Sequence, residues 1–201
     1  MRNEELTKAS LGEGLAEENS NFLILTSPLK KISLTGPESA GKSTLAAQLA
    51  AHYGTAFVPE FAREYLEKNG PAYALPDLET IARGQLATED AAVAQATRLL
   101  FCDTDLLVIK IWAENAFGTC PAWVLAELAK PRYALTLLLA PDLPWAPDPL
   151  REHPDPAQRW HFYTFYREEL RRRGWPFVEV SGPSAQRLAQ AVAAVNALSP
   201  V

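Results

Sequence analysis

Short apolar runs alternate with amphipathic segments along the chain from Lys30 onward. Five of the runs predict β-strands, at KISLT, TAFVPE, LLFCD, YALTLLLA and PFVEV. The segments that follow the strands predict helices at 41–54, 61–70, 77–98, 155–173 and 184–198. Asp77 is the expected N-cap of the helix at 77–98. Near-continuous apolar strands that alternate with helices are typical of a parallel sheet covered on both faces. We therefore expect an α/β fold, a three-layer sandwich around a mostly five-stranded parallel sheet.

One segment, 141–156, breaks this alternation, because six prolines occur in its sixteen residues, PDLPWAPDPLREHPDP. Proline fixes the backbone φ angle and lacks an N–H donor, so this segment cannot form a regular helix or a central strand. It is also longer than an ordinary connection between a strand and a helix. We expect it to be a functional loop that acts as a lid.

The first 28 residues differ in composition from the rest of the chain. Segment 1–28 is acidic and has few large apolar residues before FLILTSP, which predicts a flexible tail. A docking arm is the alternative for this segment. The remaining residues, 29–201, are enough for one domain with a full hydrophobic core.

Charge and cysteine content narrow the classes of function. The net charge of −5 argues against a nucleic-acid-binding surface, which normally has a basic excess. No apolar run approaches the roughly 18 residues of a membrane helix, so we expect no membrane partner. Cys102 and Cys120 have no metal-ligand spacing and are interpreted as buried free thiols of a cytoplasmic protein.

The sequence GPESAGKS fits the phosphate-loop pattern G-x-x-x-x-G-K-[ST], with a predicted strand before it and a helix after it. In such a loop, backbone N–H groups and the positive end of the helix dipole face an anion. We expect Lys42 to lie along the β and γ phosphates and the Ser43 hydroxyl to coordinate Mg²⁺. The residues expected to bind the nucleotide are Gly36, Pro37, Glu38, Ser39, Ala40, Gly41, Lys42, Ser43 and Thr44.

Several signatures of other phosphate-loop proteins are absent from the sequence. There is no NKxD for guanine recognition, no DxxG that would form a switch, and no LSGGQ-like signature. The chain is also short for a ring-forming ATPase with a second small domain. A small-molecule kinase or a bare nucleotide-binding module remains.

The run LLFCDTD places Asp103 at the carboxyl end of a central predicted strand, beside the phosphate loop. A carboxylate there can hold Mg²⁺ or its waters, so Asp103 is a candidate catalytic residue and metal ligand. Asp105 has two interpretations of equal weight. It either points into the same site, as a ligand, or caps the next helix.

The sequence VPEFAREY follows the second predicted strand and brings Glu60 to the same edge of the sheet. Arg63 and Glu64 lie three and four residues further on, so they share a helix face with Glu60. A kinase needs a carboxylate that accepts the proton of the attacking hydroxyl and polar groups that orient the acceptor. Glu60 and Arg63 fit these roles, and an ordinary solvated ion-pair face is the alternative.

The proline-rich lid carries Asp148 and Arg151, and Arg159 comes early in the following helix. An arginine that closes over the phosphates neutralises the charge that develops in transfer and excludes water, so Arg151 is a candidate catalytic residue. The tight turn from Ser181 to Ser184 lies where adenine commonly rests in this kind of fold.

Four blocks, GPESAGKSTL, VPEFAREY, LLFCDTDLL and PWAPDPLRE, resemble in order and interval the ribosylnicotinamide kinase domain of the NadR-type proteins, within the P-loop NTPase superfamily. The resemblance covers about 30–198 and implies a P-loop kinase-like fold that uses ATP and Mg²⁺. It implies that Glu60, Arg63 and Tyr65 lie at the nucleoside pocket, with Asp148 and Arg151 in the lid. It also implies that Trp145 or Trp112 stacks on the cationic nicotinamide ring.

The leading hypothesis is therefore an ATP-dependent kinase that phosphorylates the 5′-hydroxyl of nicotinamide riboside to nicotinamide mononucleotide. One alternative is a kinase for another nucleoside or small metabolite. The other is a non-catalytic ATP-binding regulator, which would need Lys42 and Ser43 but not Glu60. The expected partners are ATP and a small nucleoside-like substrate, and the sequence leaves a homo-oligomer open.

Overall fold

The computed structural model describes residues 28–198. Within these residues the strands are β1 (Lys30–Thr35), β2 (Phe57–Val58), β3 (Leu99–Asp103), β4 (Leu135–Leu139) and β5 (Phe177–Val180). The α-helices are α1 (Lys42–Tyr53), α2 (Phe61–Asn69), α3 (Leu75–Ala92), α4 (Leu106–Phe117), α5 (Ala122–Leu128), α6 (Pro156–Arg173) and α7 (Ser184–Ala197). A short 3₁₀ helix, Val93–Gln95, follows α3. The predicted tail, 1–28, lies outside the described residues except for Pro28.

The five strands form one sheet in the order β2-β3-β1-β4-β5, and every neighbouring pair is parallel. This confirms the expected α/β fold with a five-stranded parallel sheet. Strand β1 is central, with Leu34 opposite Asp103 of β3 on one side and Leu137 of β4 on the other. All carboxyl ends therefore lie along one edge, and the loops after β1, β2, β3 and β4 meet there.

Helices cover both faces of the sheet because the strands carry apolar side chains on both sides. Ile32 and Leu34 of β1 pack with Leu45 and Leu49 of α1 and with α7 in one core cluster. The opposite cluster contains side chains of α2 to α6, including Leu78, Leu107 and Phe162. These two clusters lie between the sheet and its two helical layers, which gives the predicted three-layer sandwich.

Both bounds predicted for the helix at 77–98 are wrong, and one helix is missing from the prediction. Helix α3 ends at Ala92 and is followed by the 3₁₀ helix Val93–Gln95, so it does not reach Arg98. Helix α3 begins at Leu75 with Ala74 as its N-cap, and Asp77 lies at the third helical position, where its carboxylate accepts a hydrogen bond from the Ala74 N–H at 2.7 Å. Its first turn carries Pro76, whose missing N–H costs nothing there, so the helix can start before Asp77. Helix α4 is the helix expected after Asp105, and helix α5 is absent from the prediction. None of the described helices is long and apolar enough to cross a membrane.

Candidate active site

The phosphate loop connects β1 to α1 and is packed tightly against β4. Gly36 has a φ of +136°, and a Cβ added there would lie 2.6 Å from the carbonyl oxygen of Leu139. Only glycine fits this position, because a side chain would require both a strained backbone and the displacement of β4. The Lys42 ammonium group donates to the carbonyls of Gly36 and Pro37, each at 3.0 Å, so it lies along the loop.

Asp103, at the end of β3, is a buried carboxylate beside this loop. It is 1% exposed, and its Oδ1 has no hydrogen-bond partner among the described residues. Burial, and after it the nearby negative charge of Glu60, raise the pKa of Asp103 to about 6, against the opposing effects of Lys42 and the Ser43 hydroxyl. Asp103, Glu60 and Lys42 therefore act on one another electrostatically at one edge of the sheet.

Asp105 performs the alternative role, that of a helix cap. Its Oδ1 accepts hydrogen bonds from the N–H groups of Leu107 and Val108, at 3.0 and 3.3 Å, and its Oδ2 accepts one from the Ser33 hydroxyl. The residue before it, Thr104, has a φ of +80°, which turns the chain away from the strand direction. The Asp105 side chain is buried and does not line the cleft described below, so the structure favours the cap over a contact with substrate.

Glu60 precedes the first turn of α2, directly after the short strand β2. The Phe61 N–H donates to the Gln85 side chain of α3 at 2.9 Å, which fixes the start of α2 against α3. One turn further along, Arg63 makes an ion pair with Asp148 of the lid at 2.8 Å. The hydrogen bond to Asp148 is the largest cause of the raised pKa of Arg63. The pKa of Asp148 is lowered, first by the Leu150 N–H and then by Arg63.

The lid is attached to side chains of the phosphate loop. Glu38 Oε2 accepts hydrogen bonds from the backbone N–H groups of Glu152 and His153, each at 3.0 Å. The hydroxyl of Ser39 accepts one from the Ala146 N–H, also at 3.0 Å. Two of the four variable positions of the GPESAGKS motif, Glu38 and Ser39, thus attach the proline-rich segment to the phosphate loop at two points.

A cleft of about 270 Å³ lies between the phosphate loop, α2, α4 and the lid. Its lining includes these predicted nucleotide and substrate residues: Gly36, Pro37, Glu38, Ser39, Ala40, Gly41, Lys42, Ser43, Thr44, Glu60, Arg63, Trp112 and Arg151. It also includes residues for which the sequence predicted no role: Tyr73, Asn115, Glu152, His153, Phe162 and Tyr166. The sequence predictions from four separate segments therefore converge on one cavity.

Four predicted substrate residues do not line this cleft: Tyr65, Asp105, Trp145 and Asp148. Asp103 does not line it either and lies beside the phosphate loop, next to Ser43. Tyr65 donates its hydroxyl to Asp77 at 2.7 Å, which joins α2 to the start of α3. Trp145 lies beside the guanidinium groups of Arg151 and Arg159, with their carbons 5.8 and 5.5 Å from its ring centroid. Asp148 contacts Arg63 rather than the cavity. These three side chains contact neighbouring protein groups, and their contact with a substrate stays a prediction.

An aromatic wall, formed by Trp112 and Tyr73, closes the cleft opposite the phosphate loop. The Trp112 indole N–H donates to the Tyr73 hydroxyl at 2.7 Å, and the rings meet edge to face at 4.7 Å. The Tyr73 hydroxyl in turn donates to the carboxylate of Glu152 at 3.0 Å. Burial is the largest cause of the raised pKa of Tyr73. Tyr73 lies in a loop without any motif, so no pattern in the sequence marks it.

The parallel sheet, the phosphate loop and the carboxylate at the end of β3 define a P-loop kinase-like α/β protein. A model of the AAA domain family matches residues 31–187, and the chain belongs to that family. NadR proteins of Escherichia coli (strain K12) and Salmonella typhimurium (strain LT2), named trifunctional NAD biosynthesis/regulator proteins, are each 31% identical over 156 residues, or 76% of this chain. The resemblance to NadR-type proteins is thereby confirmed. The chain spans 38% of the length of these curated relatives.

Solved structures agree on the fold. A NadR protein in complex with NAD and AMP-PNP superposes with a TM-score of 0.66 at 22% identity, covering 86% of this chain and 50% of that one. A NadR protein in complex with NR gives the same TM-score at 21% identity, covering 86% and 52%. A deoxyadenosine kinase from M. mycoides gives 0.55 at 14% identity, covering 83% and 99%.

Proposed function

We propose that the chain is an ATP-dependent kinase that phosphorylates the 5′-hydroxyl of nicotinamide riboside to nicotinamide mononucleotide, a step of NAD salvage. The observation that carries the proposal is the convergence of the phosphate loop, Glu60, Arg63 and Trp112 on one cleft. The names of similar proteins support the ligand classes, because one NadR structure is described with NR and another with NAD and AMP-PNP. A cytoplasmic location and a homo-oligomer stay predictions.

The acceptor side of the cleft suits a cationic aromatic ring. Trp112 offers an aromatic wall, and carboxylates of Glu38, Glu60 and Glu152 line the same cavity. A cation is attracted both to the face of an indole and to nearby negative charge. Nicotinamide riboside carries its positive charge in the pyridine ring, whereas uridine and cytidine carry none at neutral pH.

Phosphoryl transfer then needs little from the protein beyond positioning and charge neutralisation. Glu60 accepts the proton of the 5′-hydroxyl as its oxygen bonds to the γ phosphorus, and the bond from that phosphorus to the bridging oxygen of ADP breaks. Lys42 and Arg151 line the cleft and neutralise charge on the phosphoryl oxygens. Arg63, held by Asp148, orients the acceptor.

The residues beside the loop fit Mg²⁺. Mg²⁺ binds oxygen ligands and is commonly held by one or two carboxylates together with substrate phosphates. Asp103 has a buried oxygen without a partner among the described residues, and the Ser43 hydroxyl lies beside this carboxylate. When bound, the ion would neutralise charge shared by the β and γ phosphates.

Measurement of ADP release with a panel of acceptors tests the proposal. Nicotinamide riboside, uridine, cytidine and deoxynucleosides are compared side by side, each against a water-only background. Turnover is expected with the pyridine nucleoside well above that of the others. Turnover no higher than the background would refute the proposed substrate, and turnover with another nucleoside would favour the alternative kinase.

A variant of Glu60 separates the kinase from a non-catalytic ATP-binding regulator. Glu60→Gln preserves the shape of the side chain and removes its basicity, so turnover is expected to fall by 100-fold or more, on the order of a general-base contribution. ATP affinity is expected to stay within about twofold, as for Glu64→Gln, an exposed control on the same helix. Equal turnover of Glu60→Gln and the unsubstituted protein would exclude Glu60 as the base.

A further inference from the structure

Arg187, on α7, is a fully buried cation that the kinase chemistry described above does not use. It is 2% exposed and does not line the cleft. Its guanidinium group donates to the carbonyls of Ala40 at 2.7 Å, Ala140 at 2.9 Å and Gly182 at 2.6 Å. It also pairs with the carboxylate of Asp142. A single side chain thus joins the phosphate loop, the end of β4 and the turn after β5.

The contact with Ala40 controls the orientation of a peptide group in the phosphate loop. The C=O and N–H groups of a trans peptide point in opposite directions. Because Arg187 holds the Ala40 carbonyl behind the loop, the N–H of Gly41 points away from Arg187, and Ala40 and Gly41 both line the cleft. Without this contact, that peptide could rotate and present its carbonyl oxygen to a phosphate.

The contacts with Gly182 and Asp142 extend the same restraint to the turn after β5. The Arg187 Nε–H donates to the Gly182 carbonyl, and the Gly182 N–H donates to Asp142 Oδ2 at 2.6 Å. Asp142 therefore holds both the guanidinium and the turn. This turn, 181–184, is the one expected from the sequence at the adenine end of the nucleotide.

We propose that Arg187 is a positioning residue for ATP: it fixes the phosphate loop and the turn after β5 at the spacing that one nucleotide requires. The inference rests on the proposed function, since it assumes that ATP is the ligand of the loop. It assigns the nucleotide site a residue from the last helix, behind the loop and without contact to the cleft. The acceptor side is not restrained by Arg187.

The test compares Arg187→Lys with Val195→Ala in the full chain. Lysine preserves the charge but cannot reach four acceptors at once, so the Kd for ATP, measured by calorimetry, is expected to rise about tenfold or more, the scale of a lost charged hydrogen bond. The KM for nicotinamide riboside is expected to stay within about twofold. Val195, on the same helix and 2% exposed, is the matched control. Its truncation lowers stability to urea and leaves the Kd for ATP unchanged.

A second variant decides the case if Arg187→Lys does not fold. Asp142→Asn leaves the guanidinium in place but removes the charge that orients it, and the Kd for ATP is expected to rise about threefold. An unchanged Kd for ATP in the folded variants, with ATP bound by the unsubstituted protein, would overturn the positioning role and leave the proposed function standing. If the unsubstituted protein did not bind ATP, the proposed function and this inference would both be overturned.

Discussion

Substitution of Gly84 by alanine tests how α2, and with it Glu60, is positioned. Gly84 lies inside α3, where the chain of α2 crosses it. A Cβ added at Gly84 would lie under 3.0 Å from three atoms of the Phe61 ring. Phe61 follows Glu60 directly and is itself packed against the core of this face. The glycine therefore makes room for the residue beside the candidate base.

Two effects of opposite sign decide the result. Alanine is favoured over glycine inside a helix by about 1 kcal/mol, so helix propensity alone predicts a more stable protein. Carbon atoms in contact stay about 3.5–4.0 Å apart, so the new methyl group must displace the ring by more than about 0.5 Å. Overpacking of this kind costs about 1–3 kcal/mol. We expect Gly84→Ala to lower the free energy of unfolding by about 1 kcal/mol, because the overpacking outweighs the propensity.

Urea denaturation measures the change in stability, and turnover measures the displacement of Glu60. The control is the same substitution in a Phe61→Ala background. Without the ring, only helix propensity remains, so Gly84→Ala is expected to stabilise that background by about 1 kcal/mol. A Gly84→Ala protein that is more stable than the unsubstituted one, with unchanged turnover, would refute this account of how α2 is held.

Three further predictions concern the cleft. In protein without Mg²⁺ or nucleotide, the stability that comes from protonation of Asp103 is complete below pH 3.8 and is lost as pH rises through its raised pKa of about 6. Asp103→Asn should therefore be more stable to urea than the unsubstituted protein at pH 8, with the difference vanishing towards pH 4, and a constant difference would contradict the assigned pKa. Gly36→Ala should abolish the rise in Tm on ATP addition, because its Cβ meets Leu139; a normal rise would contradict the packing. Trp112→Leu should raise the KM for nicotinamide riboside about tenfold without changing the KM for ATP. A KM for nicotinamide riboside equal to that of the unsubstituted protein would exclude a contact between Trp112 and the substrate ring.

Elements fixed by local pattern could be predicted from the sequence. The phosphate loop, the five strands and helix α1, which Gly54 caps, each depend on a short run of residues and on the turn that ends it. The proximity of Asp103 and Glu60 could also be predicted, because the carboxyl ends of parallel strands lie at the same edge of the sheet. The helix α5 was missed because its seven residues, AWVLAEL, lie between prolines and are too few for a clear period.

The direction of a side chain that has a distant partner could not be predicted. The sequence allows Asp105 either to face the site or to cap a helix, and the choice depends on Ser33, which is 72 residues away. Tyr73 joins the site only through Trp112 and Glu152 of other segments. In the sequence, Arg187 looks like an ordinary residue of an amphipathic helix. Its role depends on contacts with Ala40 and Asp142, which only the folded structure brings together.

The most direct test of the proposed transfer follows the phosphoryl group itself. ATP labelled at the γ phosphate is incubated with the full chain, Mg²⁺ and nicotinamide riboside, and the products are separated by mass. Because the phosphate loop and Glu60 line one cleft, the label should appear in nicotinamide mononucleotide, one equivalent for each ADP formed. Label found only in inorganic phosphate, or left in ATP, would contradict the transfer.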